Sequence, residues 1–142
     1  MADTLTKEKR RWNMSRITGK NTEPEVLLRS LLHREGFRFR LHDKRLPGKP
    51  DIVLPRYRAA IFVNGCFWHR HKNCKFAYTP KSRKEFWLTK LEGTVKRDRK
   101  KQEALTNMGW QVIVVWECEL NKQREKIIAD ISSKLLGGVH GD

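Results

Sequence analysis

Ten consecutive residues, Gly65-Cys66-Phe67-Trp68-His69-Arg70-His71-Lys72-Asn73-Cys74, concentrate more potential chemistry than any other stretch of the chain. They hold two of the three cysteines, two of the five histidines and two large aromatics. The third thiol is Cys118, just beyond an apolar segment that ends at Trp116. Thiolate and imidazole are ligands that zinc prefers, and three thiolates with one imidazole close a tetrahedral site with no position left for water. Cys66-x4-His71-x2-Cys74 with Cys118 therefore reads as a structural zinc site that staples a loop too polar and too long to hold itself. An odd cysteine count argues against a disulfide framework and for reduced thiols inside a cell. The plainer reading is three buried free cysteines and a surface histidine; the spacing and the odd count favour zinc. His69 is an alternative to His71 as the fourth ligand. The knuckle-like spacing His71-x2-Cys74 favours His71 and leaves His69 free. An imidazole titrates near neutrality and can take the proton of an attacking water, although a surface histidine fits the same position.

A second candidate is Asp51, which follows Pro50 at the head of a short apolar segment. A carboxylate there can hold a hard cation beside a scissile phosphate, because magnesium takes one or two carboxylates together with waters and phosphate oxygens. Nucleases of the PD-(D/E)xK class place an aspartate in this way within an α-β-β-β-α-β core. Their second motif is an acidic residue, a spacer and a lysine on the next strand. Here that strand reads Ile61-Phe62-Val63-Asn64-Gly65 and offers neither. An aspartate after a proline is also a common turn cap.

The elements that must carry these residues follow from pattern. Thr22-Glu23-Pro24-Glu25 reads as a capping box with proline in the first turn. It opens a helix whose apolar face is Leu27, Leu28, Leu31 and Leu32, stopped by Gly36. Phe37 to Leu41 alternates as a half-buried strand, Asp51 to Leu54 is a short strand, and Ala59 to Val63 is a strand apolar on both faces, hence central. After the Cys/His loop, Ser82-Arg83-Lys84-Glu85 reads as a second capping box opening a long helix closed by Gly109. Trp110 to Trp116 reads as a strongly buried strand, and Ile127, Ile128, Ile131, Leu135 and Leu136 as a final helix ending at Gly137-Gly138. The order α-β-β-β-α-β-α implies an α/β fold, a central mixed β-sheet flanked by helices.

Composition bounds the partner. The chain has 142 residues, with 31 Lys plus Arg against 16 Asp plus Glu, a net charge of +15 and a pI of about 10.2. Such an excess favours a polyanion, usually nucleic acid, over a merely soluble basic protein. Residues 1–21 carry Lys7, Lys9, Arg10, Arg11, Arg16 and Lys20 with few apolar groups and read as a basic DNA-binding arm that orders on its partner. Residues 22–142 then form a single domain. Met1 to Lys20 lacks the apolar core of a secretory leader, and no run of about 18 apolar residues is long enough to span a membrane.

Pro47-Gly48-Lys49-Pro50-Asp51, Phe62-Val63-Asn64-Gly65-Cys66-Phe67-Trp68-His69, Glu85-Phe86-Trp87, Arg97-Asp98, Gly109-Trp110 and Val115-Trp116-Glu117-Cys118 together resemble the very short patch repair (Vsr) DNA mismatch endonucleases. The likeness runs in order from about residue 9 to 120, and the Gly-Cys-Phe-Trp-His string is highly specific. The resemblance implies a restriction-endonuclease-like core. It also implies a Mg2+-dependent enzyme that nicks one strand beside a T·G mismatch, the product of 5-methylcytosine deamination. Asp51 would be the metal-binding carboxylate and the backbone carbonyl of Val63 a second protein ligand. His69 would be the base that activates water, Asp98 the residue that orients it, and Glu25 an acid that assists through water on the metal. Cys66, His71, Cys74 and Cys118 would hold structural Zn2+. Phe67, Trp68 and Trp87 match an aromatic wedge inserted beside the mismatch from the major groove, and Met14 a residue of the arm that approaches from the minor groove. Inserting a wedge costs a few kcal/mol of unstacking, less at a wobble pair. Core packing is the plainer role for Phe67 and Trp68. Asn64 stands where some members have histidine.

The partners expected are double-stranded DNA with a T·G mismatch, mismatch-repair proteins and a DNA polymerase acting after the nick. The expected state is a monomer in the prokaryotic cytoplasm, with the nucleoid. Two rivals remain at this level. One is a non-catalytic zinc-stabilised DNA-binding module, distinguished by whether Asp51 and His69 matter for nicking. The other is a PD-(D/E)xK endonuclease of different specificity, distinguished by a panel of duplexes.

Overall fold

A computed structural model of the chain describes residues 22–140, with the backbone alone for 138–140; the expected arm and Met14 lie outside the described residues. Helix α1 spans Glu23–Arg34 and buries Leu28, Leu31 and Leu32. Thr22 stands at its N-cap with extended backbone, yet no side-chain cap bond forms. The expected capping box is not made, because Glu25 turns inward and is buried. At the other end Gly36, at φ +88°, takes the left-handed turn, and the Phe37 N–H donates to Leu32 O at 3.1 Å.

Four strands follow. They are β1 (Arg40–Leu41), β2 (Ile52–Leu54), β3 (Ala59–Asn64) and β4 (Gln111–Trp116), in the spatial order β1-β2-β3-β4. The first two pairings are antiparallel and β3 with β4 is parallel, so the sheet is mixed and β3 is central, as its apolar pattern requires. The parallel step needs a long crossover, which is helix α2 (Lys84–Asn107). The second capping box is also unmade: Arg83, in the left-handed region at φ 55°, occupies the N-cap. Gly109, at φ +86°, turns the chain back into β4.

Strand alternation sorts side chains to two faces. Ile52, Leu54, Ala59, Ile61, Ile113 and Val115 pack against α1 and two C-terminal helices, α3 (Glu117–Lys122) and α4 (Arg124–His140). Ala60 and Phe62 face the other way, against Leu105 of α2. Helices thus cover both faces.

Other expectations need correction. The pairing of β1 is confined to two residues; Phe37 is buried, but the expected alternation of burial fails at Leu41, which is exposed. β4 is an edge strand with only Ile113 and Val115 buried, not a strongly buried one. Helix α3 was not expected at all. Helix α4 runs through Gly137 and Gly138 instead of ending there; Ile128, Ile131 and Leu135 anchor it to the core, and glycine costs only about 1 kcal/mol inside a helix. Among the described residues no helix is long and apolar enough to cross a membrane.

Candidate active site and metal clusters

The antiparallel register sets Ile52 opposite Ile61, so the head of β2 and the last residues of β3 lie at the same end of the sheet's two inner strands. A cleft of about 960 Å³ opens there, and Glu25, His42, Asp51, His69, Asp98 and Lys101 are among its lining residues.

Asp51 is held by the strand beside it: its Oδ2 accepts the Val63 N–H at 2.7 Å. Burial pushes its carboxyl above the usual range, opposed by that hydrogen bond and by the charges of His42, His69 and Lys101. Lys101 comes from α2 and lies over Gly48, where any Cβ would stand 2.6 Å from Lys101 Cγ. Lys101 thus brings a positive charge to the cleft that Asp51 lines.

His69 sits in a turn tied by its N–H to Gly65 O at 3.1 Å. Its Nδ1 meets Asp98 Oδ2 of α2 at 2.5 Å. A carboxylate there fixes the tautomer with Nδ1 as donor and leaves the Nε2 lone pair as acceptor. Glu25 contacts His42 Nε2 through Oε2 at 2.9 Å, and the same oxygen pairs with Arg29 Nη2. Ligand atoms of Glu25, His42 and Asp51 lie within 4.8 Å of one another, close enough to hold a cation together.

The second cluster is Cys66, His71, Cys74 and Cys118, whose ligand atoms also lie within 4.8 Å of one another. The parallel register explains the convergence. Asn64 pairs with Trp116, so the chain leaving β3 and the chain entering α3 run on side by side. The Cys74 and Cys118 sulfurs are 3.8 Å apart, and Cys118 Sγ is 3.4 Å from His71 Nδ1. Tetrahedral coordination at about 2.3 Å to sulfur and 2.0–2.1 Å to nitrogen requires separations of roughly 3.8 and 3.5 Å. The donor set therefore fits a four-coordinate ion. Without one, burial pushes the Cys66 thiol up to about 12. His71 stacks on Trp116 at 4.3 Å, and the His71 N–H donates to Cys66 O. Arg70 braces the loop by donating to Tyr78 O at 3.0 Å and to Thr79 Oγ1 at 3.1 Å.

Between the clusters stands an aromatic group. Phe67 meets Trp68, Tyr78 and Trp87 at centroid distances of 5.1, 5.2 and 5.7 Å, and Trp68 meets Trp87 at 5.9 Å. Phe86 adjoins Trp87 and is exposed, as is Tyr78. The three expected wedge residues are therefore together, outside the buried core clusters. Sequence reasoning missed His42, Arg29, Lys101, Tyr78 and the exposure of Phe86.

The cleft thus lies at one end of a mixed sheet and is lined by carboxylates and histidines. The solved homing endonuclease I-Bth0305I catalytic domain has a similar fold. The TM-score is 0.59 at 19% identity, covering 84% of this chain and 99% of that one. The family described as DNA mismatch endonuclease Vsr matches over residues 2–75. The DNA mismatch endonuclease Vsr of Escherichia coli is 46% identical over 136 residues, 96% of this chain and 86% of that protein. The type II nicking enzyme V.XorIIP of Xanthomonas oryzae pv. oryzae is 52% identical over 121 residues, 85% of this chain and 88% of that one. The chain belongs to the Vsr family of DNA mismatch endonucleases.

Proposed function

We propose that the protein nicks one DNA strand beside a T·G mismatch, opening the short repair of a deaminated 5-methylcytosine. The observation that carries this reading is the His69–Asp98 pair in the same cleft as the strand-held Asp51. Asp51 and the main-chain carbonyl of Val63 hold Mg2+, which supplies Lewis-acid stabilisation of charge on the phosphate and on the departing 3′ oxygen. Asp98 keeps the His69 ring in one tautomer. Nε2 of His69 takes the proton of water as its oxygen attacks phosphorus and the bond to O3′ breaks. Glu25, buried at the cleft's edge, orients water there.

Zn2+ is the ion proposed for Cys66, His71, Cys74 and Cys118, supported by separations that match its bond lengths. It holds the loop that carries His69 together with Phe67 and Trp68, while Trp87 joins them from α2. Phe67, Trp68 and Trp87 enter the duplex at the mismatch, with Lys90 beside Trp68 at 5.7 Å and able to meet a phosphate. Residues 1–21, with Met14, are a basic arm on the DNA, and the remainder acts as one nuclease domain, working as a monomer in the bacterial cytoplasm. Mismatch-repair proteins and a polymerase act around the nick.

The test is a nicking assay on duplexes that differ only in the T·G or T·A pair, with flanks varied and with Mg2+ added or chelated. Mg2+-dependent nicking of the T·G duplex alone is expected. Equal cutting of both duplexes would defeat the mismatch reading, and undiminished cutting in chelator would defeat the metal assignment.

A further inference from the structure

We propose that His42 is a third protein ligand of the catalytic cation, so that this site favours a nitrogen-accepting divalent ion such as Mn2+ more than an all-oxygen site would. The inference rests on the reading that Asp51 holds a divalent ion. It adds a residue and a metal preference to that reading.

Three observations carry it. His42 is placed between Asp51 and Glu25: its main-chain N–H donates to the main-chain carbonyl of Asp51 at 3.1 Å, and its ring Nε2 lies 2.9 Å from Glu25 Oε2. The ring is little exposed, with 14% of its side-chain surface open, and it lines the same cleft as His69. The backbone of His42 is left-handed, at φ 48°. A β-carbon residue adopts that conformation at a cost, and such strain persists where surrounding bonds fix it. Here the hydrogen bond from the His42 N–H to the Asp51 carbonyl holds the backbone, and the ring meets Glu25.

Ligand atoms of Glu25, His42 and Asp51 lie within 4.8 Å of one another, close enough to meet at one cation directly or through its bound water. Arg29, paired with Glu25, offsets part of the carboxylate charge, which lowers the electrostatic attraction for a hard cation. Imidazole restores affinity selectively: Mg2+ prefers oxygen and keeps its waters, whereas Mn2+ and later ions accept nitrogen more readily.

The test uses the full chain with zinc retained and Mn2+ as the probe. Pulsed electron paramagnetic resonance of bound Mn2+ reads nitrogen coupling from a ligated imidazole. Coupling is expected in the wild type and in His69→Ala, and lost in His42→Gln. Calorimetry of metal binding is the second readout. His42→Gln, whose amide oxygen still suits Mg2+, is expected to lower Mn2+ affinity about tenfold while leaving Mg2+ affinity within about twofold. A merely structural role would weaken both ions equally, and that result overturns the inference. Nitrogen coupling that persists in His42→Gln overturns it too. Mn2+ that binds in an Asp51-dependent way with no nitrogen coupling in the wild type overturns the His42 assignment and leaves the metal reading standing. Mn2+ binding indifferent to Asp51→Asn overturns both.

Discussion

Two candidate ligand clusters flank one end of the sheet's inner strands, and they are assembled in opposite ways. Cys66, His71 and Cys74 come from one loop, and only Cys118 arrives from elsewhere, on the first turn of α3. Glu25, His42 and Asp51 come from a helix, a turn and the head of a strand, separate segments that only the fold brings together. The first set offers four soft donors, as a closed site needs; the second offers two carboxylates and an imidazole, with Arg29 beside Glu25 and a cleft open to it. The difference teaches a division of labour. A closed site contributes folding energy to a loop that has little core of its own. An open one keeps positions for water and phosphate.

The largest effect should come from breaking the closed cluster. Cys118→Ser removes the one ligand that ties the loop to α3. Structural zinc sites contribute on the order of 10 kcal/mol of apparent binding energy, so the loop should lose its order and the bound metal. Nicking should fall below detection, because His69, Phe67 and Trp68 ride on that loop. Metal analysis with amide exchange checks it: exchange should accelerate over 65–81 while the amides of β3 stay protected. Intact exchange protection of the loop after zinc is lost would show that the Arg70 contacts alone suffice to hold it.

A smaller effect should come from within the open site. His69→Ala should lower the single-turnover nicking rate by about 10²–10⁴, the usual share of a general base. Asp98→Asn keeps the shape of the pair and should cost less, about 10–100-fold, through orientation of the ring alone. Neither change should alter the zinc content. If Asp98→Asn costs as much as His69→Ala, the carboxylate does more than orient. If neither matters, the cleft's base lies elsewhere.

The contrast also explains what the sequence revealed. The soft cluster was legible because three of its ligands crowd one loop, and the parallel step that brings Cys118 back follows from an apolar strand ending just before it. The central position of β3 was legible from apolar residues on both faces. The hard cluster was only half legible. Thr22-x-x-Glu25 carries a capping pattern, but a glutamate in the first turn can point back at the N-cap or inward, and the half-buried Arg29 and His42 pair with it there. His42 gave no signal, since a left-handed backbone at a non-glycine residue follows from tertiary bonds and not from local pattern. The run of α4 past Gly137 is a similar case: packing of Ile131 and Leu135 outweighs a weak helix former.

The smallest effect discriminates the clusters most cleanly, because it has a sign that depends on pH and on metal. Burial raises the carboxyl of Asp51 above its ordinary 3.8. A group whose pKa is raised on folding stabilises the fold fully below its unfolded value, and that contribution is lost as pH rises through the folded value. In metal-free protein at neutral pH the ionised Asp51 is therefore a burden. Asp51→Asn should melt at a higher temperature than the wild type, and the gap should close as pH falls toward about 4, where the unfolded chain also binds the proton. Divalent metal should reverse the order, since an ion that binds only the folded wild type stabilises it by mass action. Chelation at the thiol cluster should destabilise both proteins alike. Thermal melts at two pH values, with zinc retained and Mg2+ added or omitted, check all of this. An Asp51→Asn variant that melts below the wild type in metal-free neutral buffer would mean that the hydrogen bond from the Val63 N–H outweighs burial and that Asp51 is a structural strap for β3.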